Sequence, residues 1–256
     1  RVNNPSFLMQ YDVAFLRHRQ SNIPMVYNLP TYGGVDSDLN KHFTDFIFAF
    51  EPNTTAIRRM GIVARLKNPR LLDLLGVKYD AQEDGSIISR PDALARFSLF
   101  SAYNVEGDIQ KSFQNLKSGS FNPTTMVIID HNPSWRKPFV QESKRFIPIN
   151  YDSLSTSDIA IKADLERPAI LLFNDNYDRD WHAFYNGNEV PIFKANGRAM
   201  AISLSSGKGS VEFKFLPQPF LSLLKVSFTA TTILLIIGLY IVVTGLRRKR
   251  LSFLHS

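Results

Sequence analysis

Residues 226–246 read VSFTATTILLIIGLYIVVTGL and carry no charge over 21 positions. At about 1.5 Å per residue, a helix of that length is about 31 Å long, the thickness of a bilayer's hydrocarbon core. Ile233, Ile236, Ile237, Ile241, Val242 and Val243 are β-branched and would favour strand in water. In lipid every backbone N–H and C=O must be paired within the segment, so helix prevails. A buried helix of a soluble core would be shorter or would show a polar face, and this run does neither. Arg247, Arg248, Lys249 and Arg250 follow at once. Clusters of Lys and Arg stay cytoplasmic, which predicts a C-terminus inside the cell and residues 1–220 outside.

The same basic cluster accounts for much of the charge. The net charge is +7, of which the cluster supplies four, leaving +3 for the rest of the chain. No basic stripe with interleaved aromatics is present, so nucleic acid is not an expected partner. The chain has no Cys, which excludes disulfides, thiolate metal sites and a thiol nucleophile. Twenty Phe and 44% hydrophobic residues allow a true core before the membrane segment. The sequence opens at Arg1 with no signal peptide. A body outside the cytoplasm must be exported, so the expectation is that these residues end a longer polypeptide with earlier spans.

Periodicity organises the remainder. DLNKHFTDFIFAF places Leu39, Phe43, Phe46, Ile47 and Phe50 at helical spacing for one buried face. NPRLLDLLGV predicts a helix capped by Asn68, with Pro69 in its first position and Gly76 at its end. GVKYDA reads as a strand, QEDGS as a turn and ARFSLFSAYNV as a further strand. DIQKSFQNLKSG reads as a short helix ended by Gly119, and TTMVIID as an apolar strand. From about residue 145 short strands alternate with turns. DIAIKAD sets Ile159, Ile161 and Ala163 against polar neighbours, and AILLFND suits a central strand. WHAFY and EVPIF flank Asn186-Gly187-Asn188, the strongest hairpin signal in the chain. RAMAISLS and SVEFKFL flank SSGKG, which reads as another hairpin. The predicted architecture is therefore an α+β outer region (1–144) and an all-β antiparallel sandwich, a meander (145–219). One C-terminal transmembrane helix (226–246) and a cytoplasmic tail (247–256) complete it.

Several of these segments, in this order, carry a resemblance. They are NIPMVYNLPTYGGVDSDL, RLLDLLGVKYD, RPDALARFSLFSAY, SFNPTTMVIID and PAILLFNDNYDRDWHAFYNGNEVPIFKANGRAMAISLSSGKGSVEFKF. With the terminal span, the chain resembles the C-terminal extracytoplasmic region of YfhO-type bacterial membrane proteins, which look like GT-C glycosyltransferases. It departs from the family pattern at Ala95, where Pro is usual, at Asn122 for Asp, and at Asp180 for the Gly before Trp181. The resemblance implies transfer of a sugar from a polyprenyl-phosphate carrier to a cell-envelope polymer such as teichoic acid. It places the acidic catalytic residue in a loop near the family's N-terminus, outside these residues. No catalytic residue is carried over, and the segment is expected to support substrate or acceptor binding rather than catalysis.

The candidate binding residues are aromatic or lie in Gly-rich loops. Trp181, Tyr177 and Tyr185 can stack on a sugar ring, although a Trp heading a sandwich strand is more often core. Tyr32 and Asp36, beside Gly33-Gly34, form a possible acceptor loop, with a structural turn as the competing reading. Asp178-Arg179-Asp180 is a D-x-D, a pattern that holds metal in nucleotide-sugar transferases. Between two strands it reads better as a turn, and neither a metal nor a cofactor is expected. His131 and His182 have no companions at catalytic spacing, and no nucleophile or nucleotide motif occurs. The competing function is a single-pass anchored β-sandwich that binds glycan or protein through exposed aromatics.

Overall fold

The computed structural model describes residues 41–54, 57–58, 61–62, 66–81, 86–133, 144–153, 155 and 157–253. The chain divides into two compact units, Arg1–Lys214 and Phe215–Ser256. Tyr32, Asp36 and the Gly33-Gly34 loop lie outside the described residues.

Three helices form where their spacing predicts. Helix α1 (Lys41–Phe50) buries Phe43, Phe46, Ile47 and Phe50, the apolar stripe seen in the sequence. Helix α2 (Pro69–Leu74) begins at Asn68, whose side chain accepts from the Leu71 amide at 3.0 Å, with Pro69 in the first turn. Its exit runs through Gly76 at φ 71°. Helix α3 (Ile109–Lys117) begins at Asp108, whose Oδ1 accepts from the Gln110 and Lys111 amides at 2.8 and 3.0 Å. It ends at an extended Ser118, one residue before the Gly119 expected to stop it.

Two short hairpins lie apart from the main sheets. One pairs β1 (Ile57–Arg58) with β2 (Gly61–Ile62), the other β3 (Tyr79–Ala81) with β4 (Ile87–Ser89). The remaining strands are β5 (Phe97–Phe100), β6 (Tyr103–Val105), β7 (Val127–Ile129), β8 (Ile147–Pro148), β9 (Asp152–Ser153) and β10 (Asp158–Leu165). They continue with β11 (Ala169–Phe173), β12 (Trp181–Tyr185), β13 (Asn188–Val190), β14 (Phe193–Ala195), β15 (Ala199–Leu204) and β16 (Gly207–Phe215). These strands build a five-stranded sheet in the order β13-β12-β16-β10-β9. A seven-stranded sheet follows the order β6-β7-β14-β15-β11-β5-β8. β6 pairs with β7 in parallel, whereas β10 with β16 and β9, β11 with β15 and β5, β12 with β13, β14 with β15 and β7, and β5 with β8 pair antiparallel.

The sheets pack face to face. Ile159, Ile161 and Ala163 of β10 and Val211 and Phe213 of β16 meet Leu171, Phe173, Met200, Ile202, Phe97 and Leu99 across the sandwich. The opposite face of the large sheet carries Ile170, Leu172, Ala199, Ala201 and Phe100, which pack against Phe46, Leu71, Leu72 and Phe113 of the helices. β11 and β15 are thus covered on both faces. Their near-continuous apolar runs follow from that, since neither face has to be polar.

The strand order departs from a simple meander. Going along the chain, β10 lies in the small sheet, β11 in the large, β12 and β13 in the small, β14 and β15 in the large and β16 in the small. The Asn186-Gly187 hairpin forms as expected, with φ of 50° and 79° and Tyr185 opposite Asn188. These are the positive φ values that a two-residue type I′ turn needs. EVPIF, however, is not one strand. It breaks at Pro191, which cannot donate to a ladder, and Phe193 enters the other sheet. SSGKG likewise joins strands of different sheets rather than a hairpin pair. ARFSLFSAYNV also divides, into β5 near one end of the large sheet and β6 at the other. Strands from both sides of residue 145 share that sheet, so the change of sequence pattern there is not a break between sheets.

In the second unit, helix α4 (Gln218–Phe253) runs for 36 residues. Within it Ser222–Thr244 is long and apolar enough to cross a membrane, with mean hydropathy 2.3 and no part of it buried. The hydroxyls of Thr229, Thr232 and Thr244 donate to the carbonyls of Lys225, Phe228 and Tyr240 at 2.8, 2.8 and 2.9 Å. The helix thereby satisfies these three hydroxyls from its own backbone, which suits an apolar surrounding.

Candidate functional site

The candidate aromatic residues do not form one surface. Trp181 and Tyr185 lie four apart on β12, on the same side of the strand, and both pack against the sandwich core. The Trp181 ring meets Phe173 edge-on at 5.2 Å. The Tyr185 hydroxyl donates to the Ser205 carbonyl at 3.3 Å, and a Cβ at Gly209 would overlap its ring. These two rings are wall material, and the core reading of Trp181 is the one the packing supports. Tyr177 packs against the same core and has a further contact. It lies between β11 and β12, its amide donates to the Arg198 carbonyl at 2.6 Å, and it lines a cavity of about 480 Å³.

That cavity is assembled from distant parts of the chain. Lys41, His42 and Asp45 come from α1, Glu106 and Gly107 from the loop after β6, and Ile109, Gln110 and Phe113 from α3. Asp130 follows β7, Lys194 lies on β14, and Gly197 and Arg198 form the turn into β15. The turn carries Asn196 at φ 48° and Gly197 at φ 71°, so Ala195-Asn196-Gly197-Arg198 is a second Asn-Gly hairpin. Asn196 is fixed because its Oδ1 accepts from the Ile128 amide at 3.0 Å while its own amide donates to the Ile128 carbonyl at 2.8 Å. Gly197 sits against Phe113 so closely that a Cβ would overlap the ring.

Arg198 is the central charge of this region, 2% exposed. Its guanidinium donates to Asn176 Oδ1 at 3.0 Å, to Asn174 Oδ1 at 2.7 Å and to the Leu74 carbonyl at 3.2 Å, and lies 5.5 Å over the Phe46 ring. A buried cation is tolerated only when its donors are met, and these acceptors tie α1, the exit of α2 and the β11–β12 connection to one side chain. Around it the cavity wall alternates charges and apolar groups. The Lys41 ammonium pairs with Asp45, Asp130 Oδ1 accepts from the Lys194 amide at 3.1 Å, and the Lys194 ammonium lies 4.9 Å over the Tyr177 ring. An apolar floor with carboxylates, amides and the Tyr177 and Phe113 rings can hold a hydroxylated ring by hydrogen bonds and stacking.

The acidic motif is spent on local structure. Asp178 Oδ1 accepts from the Asp180 amide at 2.9 Å, and the Trp181 amide donates to the Asp178 carbonyl at 3.2 Å. Asp175 binds Arg96 at 2.8 Å. Among the described residues no group of three or more His, Asp or Glu is placed to hold a metal. The two histidines do have acidic neighbours: His131 Nδ1 is 2.7 Å from Asp130 Oδ1, and His182 Nδ1 is 2.6 Å from Glu189 Oε1 across the β12–β13 hairpin.

Charge elsewhere is set by burial and pairing. Burial raises the Asp73 carboxyl above its ordinary range, against the pull of Arg90 at 2.8 Å. Burial works against the Arg96 charge, but Asp175 and Tyr151 outweigh it and hold the guanidinium more basic than usual. The amides of Lys111 and Gln110 hold the Asp108 carboxyl below its ordinary range.

Strands β8 to β16 and the start of the apolar helix fall in one recognised segment. Residues 137–227 match the family model described as bacterial membrane protein YfhO. The match spans about a third of the chain, from before β8 to the first turns of α4. Neither the curated proteins nor the solved structures give a match to this chain. The YfhO match and the apolar helix together support membrane association. The YfhO segment contains Tyr177, Trp181, Tyr185, Lys194 and Arg198, whereas Asp45, Glu106 and Phe113 of the cavity precede it. Sequence reasoning missed most of the cavity because its residues come from separate segments. KANGRA was the available signal, since its Asn-Gly marks the turn that delivers Arg198.

Proposed function

We propose that this chain is the outer domain and a membrane span of a YfhO-type protein that modifies cell-envelope polymers with lipid-linked sugar. The observation that carries this reading is the continuity of the YfhO match from the sandwich into α4. The outer domain lies on the extracytoplasmic side, and Arg247–Arg250 lie in the cytoplasm, as the positive-inside tendency favours. Within it the cavity beside Tyr177 takes a sugar or acceptor group. The chemical step belongs to residues outside these 256; among the described residues Asp178 is held in a turn, and Asp73 and Asp175 in ion pairs with arginines.

The test is deletion of residues 1–216 from the full-length protein in its host, followed by mass analysis of the envelope polymer. Loss of the sugar modification is expected, and modification that persists would overturn the reading. Sidedness is tested by protease protection: a C-terminal tag should survive protease added to intact cells.

A further inference from the structure

A second concave site lies away from the cavity. It is a cleft of about 860 Å³ between the exit of α2, the β3–β4 hairpin and the β5–β8 edge of the large sheet. Four cationic side chains line it, Lys78, Arg90, Arg96 and Arg145, against one lining carboxylate, Asp175. They come from three segments, before β3, between β4 and β5 and before β8, and are brought together by the fold.

Each of the three arginines is fixed by a partner. Arg90 Nε donates to Asp73 Oδ1 at 2.9 Å and its Nη2 to the Pro69 carbonyl at 2.6 Å. Arg96 donates to Asp175 at 2.8 and 3.1 Å. Arg145 donates to Asp92 at 2.8 Å and to the Pro91 carbonyl. Such fixed guanidinium groups lose little rotamer entropy on meeting a ligand, and each has donors left over. Lys78 completes the set, its ammonium 5.8 Å over the Tyr79 ring and, among the described residues, without a carboxylate partner. Even with Asp73 and Asp92 counted, the cations outnumber the carboxylates.

We propose that this cleft binds a phosphate-type oxyanion through Lys78, Arg90, Arg96 and Arg145. Planar, forked donors and a mobile ammonium suit tetrahedral oxygens. The source of the phosphate is either soluble or the headgroup of a lipid. The rim gives the lipid a foothold, because Tyr79 and Ile87, 46% and 52% exposed, share a hairpin face with Ser89, which lines the cleft.

The experiment uses the full chain in nanodiscs of zwitterionic phosphatidylcholine, titrated calorimetrically at low ionic strength. The probes are inorganic pyrophosphate and a short-chain phosphatidic acid. Saturable binding that weakens with added salt is expected. Lys78→Glu and Arg145→Glu should each weaken it about fivefold or more, while Lys117→Glu on α3 leaves it unchanged. Thermal unfolding of each variant separates lost binding from lost structure, and Lys78→Glu breaks no ion pair among the described residues. Tighter binding of the phosphatidic acid, reduced by Tyr79→Ser, identifies a lipid headgroup; equal binding of both probes identifies a soluble phosphate. Absence of saturable binding by either probe, or undiminished binding in Lys78→Glu, overturns the proposal.

Discussion

The ring of Phe97 lies parallel to that of Phe173, with 4.6 Å between centroids and 20° between planes. The two face each other across the β5–β11 pair, and Phe213 of the opposite sheet approaches both, at 5.9 and 4.9 Å. Three strands from distant parts of the chain therefore meet in one aromatic contact. Phe97 is 1% exposed. Phe97→Ala should lower the unfolding free energy by about 3–5 kcal/mol, through lost transfer energy and the void left behind. Phe48→Ala, at an exposed position of α1, should change it by less than about 0.5 kcal/mol. Denaturant unfolding of the full chain in detergent, followed by near-ultraviolet circular dichroism, checks both.

Local rules are what made much of this fold legible. Asn68 and Pro69 predict the start of α2, Ile159, Ile161 and Ala163 predict the buried face of β10, and Asn186-Gly187 predicts its turn. Each of those signals is complete within a few residues. The strand order is not local. Nothing within RAMAISLS or SVEFKFL shows that the two belong to different sheets, because a two-sided buried strand and a one-sided strand both satisfy short-range patterning. The same limit hid the cavity and the cleft, whose cations and carboxylates converge from distant segments; Arg96 and Asp175, for one, are 79 residues apart. Tyr177, Trp181 and Tyr185 were named by residue type; all three rings pack against the sandwich core, and Tyr177 also lines the cavity.

Two carboxylates should shape acid stability in opposite ways. Asp108 is depressed below its ordinary 3.8 by the amides it caps, so the stability it contributes is present above 3.8 and is lost as pH falls through the lower folded value. Asp73 is raised above 3.8 by burial, so its contribution is fully present below 3.8 and is lost as pH rises through the higher folded value. Asp108→Asn keeps the capping oxygen and removes the titration; it should flatten the stability profile below pH 3.8. Asp73→Asn should flatten the profile just above pH 3.8. Thermal midpoints measured across the acid range check each, and a shape identical to the unsubstituted protein counts against it.

Tyr177 and Trp181 should separate binding from stability. Trp181 is packed on Phe173, so Trp181→Ala should cost about 2–3 kcal/mol of stability, less than a fully buried ring would. Tyr177 is half-buried against the same core as well as lining the cavity, so Tyr177→Ala should cost about 1–2 kcal/mol. In the full-length protein Tyr177→Ala should lower envelope glycosylation about fivefold, the loss expected for one stacking contact. Polymer analysis beside thermal unfolding of both variants makes the comparison, and equal stability losses with unchanged modification would remove Tyr177 from the site.

Ile233 lies at the middle of the apolar stretch Ser222–Thr244, equally far from both ends. A charge placed there cannot reach either interface without tilting or thinning the bilayer around it. On the scale of cellular insertion, Lys at the centre of a span costs about 2.5–3.5 kcal/mol, while Ile contributes favourably by about 0.5 kcal/mol. Ile233→Lys should therefore shift part of the chain out of the bilayer, whereas Ile233→Leu should not. Extraction of membranes at high pH reads the difference: the substituted chain should appear in the soluble fraction while the Leu variant stays with the membrane. Equal retention of both would mean that α4 is held by something other than its own apolar length.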